Sequence, residues 1–402
     1  MSDHVTRREF LKAAGSGAVC AAAGLAGCCG PRAAGPGETN RGALPPAGQR
    51  KVIIAVFGGG VRNSETIDPS GRNTIPRLWN DMAPGGTLFT NMRVEHKVVH
   101  PNSTGSIATG HREWDDIDWT RPVAHPTVFE MYRKALGADD TGAWAFVYAS
   151  ILSQIGHSSD ASLGARYAAN VVEPPTIPRA TAEEMDRIMR YAASSGSAGA
   201  ELDAAAEAEK LVRQTCRITR SGLRSAGAGK FLDERFAAYK SGRGTTSHDA
   251  FLTDCAVACM ERYEPGVMMV AYGEIDCAHY GVWSRHIDAI RRTDELVWRL
   301  WRKARTLPAY RGKTLMLVLP DHGRELDRPG GPGWIHHSDF YTGRGADEGC
   351  RRVWMLASGP GVAAGRKIEQ PVPITSVAAT ALEFLDLDAT AGAGKSVLGS
   401  LA

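Results

Sequence analysis

Leu315-Met316-Leu317-Val318-Leu319 is a run of five apolar residues, closed by Pro320 and followed by Asp321-His322-Gly323-Arg324. A strand with one wet face alternates apolar and polar residues. An unbroken apolar run this short belongs to a strand covered on both faces, as in a parallel sheet between helical layers. The pattern recurs in Lys51–Phe57, Val267–Tyr272 and Val353–Ala357, with shorter strand signals at Gly86–Asn91 and Trp144–Tyr148. Helical periodicity covers Ser247–Tyr263, Ser284–Ala304 and Ile374–Leu385, and Ser247 is a candidate amino-terminal cap. Strands and helices in this order predict an α/β fold: a doubly wound, mostly parallel central sheet with helices on both faces. A chain of 402 residues is long enough to bury such a core.

The chain divides unevenly along its length. Residues 1–28 read as a targeting segment, in which Thr6-Arg7-Arg8-Glu9-Phe10-Leu11-Lys12 resembles a twin-arginine export signal and Leu25-Ala26-Gly27-Cys28 resembles a lipoprotein lipobox. The expectation is a periplasmic or cell-envelope protein that touches the membrane only through a lipid on Cys28. Residues 29–49 are rich in Gly, Pro and Ala and read as a flexible tether, leaving 50–402 as the globular domain. Within it, about 152–245 turns Ala-rich and charged, with helical stretches such as Ala182–Ala193 and Ala200–Arg213. This segment is expected to be a helical insertion, forming either a rim over the site or peripheral helices. The net charge of +3 and the lack of a long basic run give nucleic-acid binding no compositional support. None of the eight cysteines forms a C-x-x-C pair, and Cys255 and Cys259, one helical turn apart, read as core.

Chemistry concentrates where strands end, which is where open α/β sheets bind ligands. Asp321-His322 leaves one strand, and Asp276 and His279 leave another at a spacing that lets both face one point. His336 and His337 lie in a Gly/Pro loop nearby. A carboxylate beside an imidazole suits a divalent metal such as zinc. Each pair alone could equally be a capped turn with a surface histidine, but ionisable groups delivered by successive buried strands need a partner, and a metal supplies one. The run His100-Pro101-Asn102-Ser103-Thr104 through His111 reads as a turn leading into a helix, whose free amides favour an anion.

In order and spacing these elements resemble the alkaline phosphatase superfamily, which includes phosphatases, phosphodiesterases, sulfatases and cofactor-independent phosphoglycerate mutases. The resemblance spans most of residues 51–390. It rests on the first strand with its Gly-Val-Arg turn, Thr109-Gly110, Asp276 with His279, Asp321-His322-Gly323, Gly359-Pro360-Gly361-Val362 and the closing helix. It implies one metal site of Asp276, His279 and His336 or His337, and a second that includes Asp321 and His322.

The departures from the family are specific. Gly59 stands where the first strand usually ends in a metal-binding Asp, and Glu65 is the candidate to reach that metal instead. Nine residues before Thr109, the nucleophile position holds His100, so Ser103 or Thr104 would have to serve. The Cys/Ser-x-Pro-x-Arg signature of sulfatases is missing. The resemblance therefore implies a zinc-type hydrolase, with one or two ions, acting on a small phosphate mono- or diester or, less readily, a sulfate ester. Either Thr104 or Ser103 attacks phosphorus, or water attacks directly with His100 as base or further ligand. The competing reading is a catalytically impaired envelope binding protein on the same fold.

Overall fold

The computed structural model describes residues 44–174, 222–240, 247–329, 331–337, 346–389 and 394–401. The proposed signal and tether up to residue 43, and the helical stretches 182–193 and 200–213, lie outside the described residues. The described chain belongs to one unit, Thr39–Ala402.

Among the described residues, nine strands form a single sheet: β1 (Lys51–Phe57), β2 (Thr87–Arg93), β3 (Ala143–Val147), β4 (Asn170–Val172), β5 (Val267–Ala271), β6 (Thr314–Pro320), β7 (Arg352–Ser358), β8 (Arg366–Ile368) and β9 (Val372–Pro373). Their order is β4-β3-β5-β1-β6-β7-β2-β8, with β9 also on β2. β1 is central and parallel to both neighbours, Ile54 lying opposite Met269 of β5 and Leu317 of β6. Only β7, between β6 and β2, runs antiparallel to its partners. The expected doubly wound α/β sheet is therefore the one observed.

The longer helices among the described residues are α1 (His100–Thr109), α2 (Val128–Leu136), α3 (Ala226–Lys240), α4 (His248–Arg262), α5 (Trp283–Thr306) and α6 (Ser376–Phe384). Val52, Ile54 and Val56 of β1 face a core with Ile107 of α1, Phe129 of α2 and Val377 of α6. Ile53, Ala55 and Phe57 face the opposite core, with Phe231 of α3, Phe251 of α4 and Val297 of α5. With both faces dry past the half-buried Lys51, β1 is apolar from Val52 to Phe57. The described parts of 152–245 contribute β4 at the sheet edge and α3 in the second core. Ser247 caps α4 by accepting from the Ala250 N–H, and Cys255 and Cys259 are buried and free.

One expectation is corrected. The run from His100 is itself the helix and not a turn before it. Val99 is the extended residue ahead of it, and Pro101 falls in the first turn, where its missing N–H costs nothing. Gly110 ends the helix at φ 77°, the left-handed conformation that glycine adopts most readily. His100 is thus held on a rigid helix amino terminus.

On the opposite face, α5 secures the segment after β1. Asp294 is buried, and its two carboxylate oxygens accept from the backbone N–H groups of Arg77 and Leu78, both at 2.8 Å. Burial pushes this carboxyl up to about 7 despite those bonds. A group raised in the folded state holds a proton that the unfolded chain has released. Its stabilising contribution is complete below about 4 and is lost as pH rises toward 7. Asp294→Asn should therefore lose one hydrogen bond, about 1 kcal/mol, and flatten this part of the stability–pH curve. Urea midpoints at pH 5 and pH 8 for both proteins measure it; parallel curves would contradict it.

Candidate metal centre

β1, β5 and β6 end side by side, and the residues just beyond them meet α1 there. Asp321, directly after β6, is fully buried. Its Oδ1 accepts from the His322 N–H at 2.9 Å and the Gly60 N–H at 3.2 Å. Its Oδ2 lies 2.7 Å from His100 Nδ1. His322 Nδ1 is 2.8 Å from the Gly323 carbonyl, which can only accept, so this nitrogen carries the proton and Nε2 the lone pair. That lone pair lies 2.9 Å from His100 Nδ1, which must therefore be protonated and shared between Asp321 and His322. The chain of bonds fixes the tautomer: His100 presents Nε2 to the opposite side.

There, His100 Nε2 is buried and has no hydrogen-bond partner. It lies 3.5 Å from Asp276 Oδ1, too long for a good hydrogen bond. The same oxygen is 3.1 Å from His279 Nε2 and 3.6 Å from His337 Nε2. Asp276, His279 and His337 thus form a group able to hold a metal, and His100, His322 and His337 form a second, overlapping one. Ligands at about 2.0–2.1 Å from a tetrahedral zinc are separated by about 3.3 Å. The separations around Asp276 Oδ1 bracket that value, so the donor set fits a divalent metal. Asp276 and His279 keep 31% and 28% of their side-chain surface, so this group opens to solvent on their side.

The charges agree with the geometry. Burial works against a charged ring at His100, but Asp321 and Asp276 outweigh it and raise its pKa to about 9. Burial lowers His322 to about 4 and His337 well below the usual range, leaving both neutral as metal ligation requires. Asp276, though burial opposes its charge, is held far below the ordinary carboxylate range by His100 and His279.

Among the residues the sequence nominated, Asp276, His279, Asp321, His322, His337 and His100 are brought together. His336 enters neither group among the described residues. Glu65 is drawn elsewhere: its carboxylate is bonded to Arg62 at 2.8 Å and lies 3.3 Å from His286 on α5, which hold it ionised against the cost of burial. Ser103 and Thr104 are buried within α1, and no hydrogen bond joins either to the cluster among the described residues. They follow His100 by three and four residues, one helical turn along α1.

Two participants were missed. Tyr148, just past β3, sets its ring edge-on to His100 at 5.9 Å, with its hydroxyl buried and unpaired. Arg324 has no exposed surface. Its guanidinium bonds Asp276 Oδ1 at 2.8 Å, the carbonyl of Gly60 at 2.9 Å, those of Trp334 and Ile335 at 3.2 Å, and the Gly59 carbonyl. It ties together the ends of β1 and β5 and the turn leading to His337. Replacing Arg324 by Met should cost about 3–5 kcal/mol, because Asp276 and four carbonyls lose their partner. Denaturant unfolding checks this, and a loss below about 1 kcal/mol would mean that the guanidinium does not organise these turns.

No protein-family model matches the chain, and no curated protein matches it. Solved structures do match. Ps i-CgsB aligns with a TM-score of 0.54 at 13% identity, over 88% of this chain and 76% of that one, and has also been solved with k-i-k-neocarrahexaose. The phosphonate monoester hydrolase SpPMH from Silicibacter pomeroyi gives 0.52 at 14% identity, over 87% and 76%. The PsFucS1 sulfatase from Pseudoalteromonas sp. gives 0.51 at 13%, over 88% and 72%. At these identities the likeness is one of fold, the mostly parallel doubly wound α/β architecture that the sequence predicts.

Proposed function

We propose that this chain is an exported, lipid-anchored, metal-dependent hydrolase of phosphate mono- or diesters, with sulfate esters as the lesser candidates. The observation that carries the reading is the convergence of His279, His337 and the unpaired His100 Nε2 on one oxygen of Asp276. Asp276, His279 and His337 would hold the ion, whose charge polarises the ester and stabilises the negative charge that develops in the transition state.

The chain's own groups supply the proton handling. Asp321 and His322 hold His100 at Nδ1, so Nε2 is aimed and available. With its pKa raised to about 9 the ring is mostly charged near neutrality. Its neutral fraction accepts at Nε2 the proton of an attacking water as the oxygen–phosphorus bond forms, so turnover should rise with pH toward 9. The bond from phosphorus to the leaving oxygen then breaks, and the departing alcohol takes a proton from solvent. This supports direct attack by water over a covalent intermediate, since neither Ser103 nor Thr104 is bonded into the cluster.

The test is turnover by the purified full chain, loaded with zinc or manganese, on p-nitrophenyl phosphate, bis-p-nitrophenyl phosphate and p-nitrophenyl sulfate. Hydrolysis of a phosphate ester should fall by about 10²–10⁴ in kcat/KM in His100→Ala, and should be lost in Asp276→Asn. Unchanged turnover in His100→Ala would overturn the assigned base. Retained metal with no turnover of any ester would favour the binding-protein reading.

A further inference from the structure

The sequence resemblance implies two metal sites, and the residues expected at the second are present, so the question is whether they are free to bind. Three observations say that they are not. First, the carboxylate missing at Gly59 cannot be restored. Gly59 has φ 101°, and a Cβ built there would overlap the amide of Asp276. Gly60 has φ 74°, and its Cβ would sit 2.7 Å from the His322 ring. The end of β1 is packed so closely against the turns after β5 and β6 that it has no room for a ligand.

Second, the donors of Asp321 and His322 are spent on the protein. Asp321 Oδ1 accepts from the Gly60 and His322 N–H groups, while Asp321 Oδ2 and His322 Nε2 both lie on a single atom, His100 Nδ1. Two of the separations in that trio, 2.7 and 2.9 Å, are hydrogen-bond lengths. Both are shorter than the about 3.3 Å edge of a tetrahedral zinc site, whereas those around Asp276 bracket it. A metal held by His100, His322 and His337 would need the His100–His322 bond broken first.

Third, the chain's own hydrogen-bond donors already serve the two carboxylates. The Arg324 guanidinium lies on Asp276 and on the carbonyls of Gly59 and Gly60, and the His100 ring lies on Asp321. Buried carboxylates need compensation of this kind whether or not a metal is bound.

We infer that the chain binds one divalent ion, at Asp276, His279 and His337, and that the place of a second is taken by its own His100 ring with the Arg324 guanidinium alongside. The inference rests on the metal-dependent reading above. Arg324 acts here as a positioning residue, and Asp321 and His322 hold His100 and no metal.

Elemental analysis of the zinc-saturated full chain, with zinc-edge anomalous scattering from its crystals, tests this without any assay of activity. The expected result is one zinc per chain, its anomalous peak between Asp276, His279 and His337. Asp321→Asn should keep that zinc, and Asp276→Asn should lose it. Two zinc ions, or a peak between Asp321 and His322, would overturn the inference and leave the hydrolase reading standing. Loss of the single zinc in a folded Asp321→Asn protein would overturn it as well. If that variant does not fold, the wild-type peak position alone decides. No zinc in the wild-type chain would overturn the hydrolase reading itself.

Discussion

The pairing of the buried Arg324 guanidinium with Asp276 is the interaction on which the site depends. A guanidinium with no exposed surface is tolerable only if its N–H groups and its charge are all met. Arg324 meets them with four backbone carbonyls and one carboxylate, drawn from the ends of β1 and β5 and from the turn before His337. The planar fork fixes the direction of each bond, which a lysine could not do. Asp276 is thereby presented with one oxygen toward His279, His337 and His100.

From that anchor the rest of the centre follows as a charge balance. Two carboxylates, Asp276 and Asp321, stand at the mouths of two strands that are dry on both faces. Arg324 compensates the first and His100 the second. The His100 bond to Asp321 is made through Nδ1, so the ring's other nitrogen must point at Asp276. One hydrogen-bond chain, Gly323 carbonyl to His322 to His100, thus sets both the protonation pattern and the direction of an unpaired nitrogen. A helix amino terminus supplies the backbone rigidity, since His100 occupies the first turn of α1.

Much of this was legible in the sequence, for physical reasons. The strands announced themselves because the doubly covered middle of a strand is apolar on both faces, and Lys51–Phe57 was placed to the residue. Asp276 with His279 and Asp321 with His322 stood out because ionisable groups at the ends of such strands need a partner. The failures share a cause in contacts distant along the chain. Glu65 looked like a ligand because it follows β1 closely, yet its partners include His286, more than two hundred residues away. Arg324 was given no role, although it closes the stretch that carries the Asp-His pair. Its burial is decided by carbonyls of Gly59, Gly60, Trp334 and Ile335, which no local pattern reveals.

The central claim is the proposal that Asp276, His279 and His337 together hold one tetrahedral metal ion with its fourth position open to solvent. Cobalt(II) titration of the metal-free full chain, followed by visible absorption, tests it most directly. The account predicts the intense d–d bands of tetrahedral cobalt, rising to saturation and absent in Asp276→Asn. Weak octahedral absorption only, or the same intense bands in the Asp276→Asn protein, would contradict it.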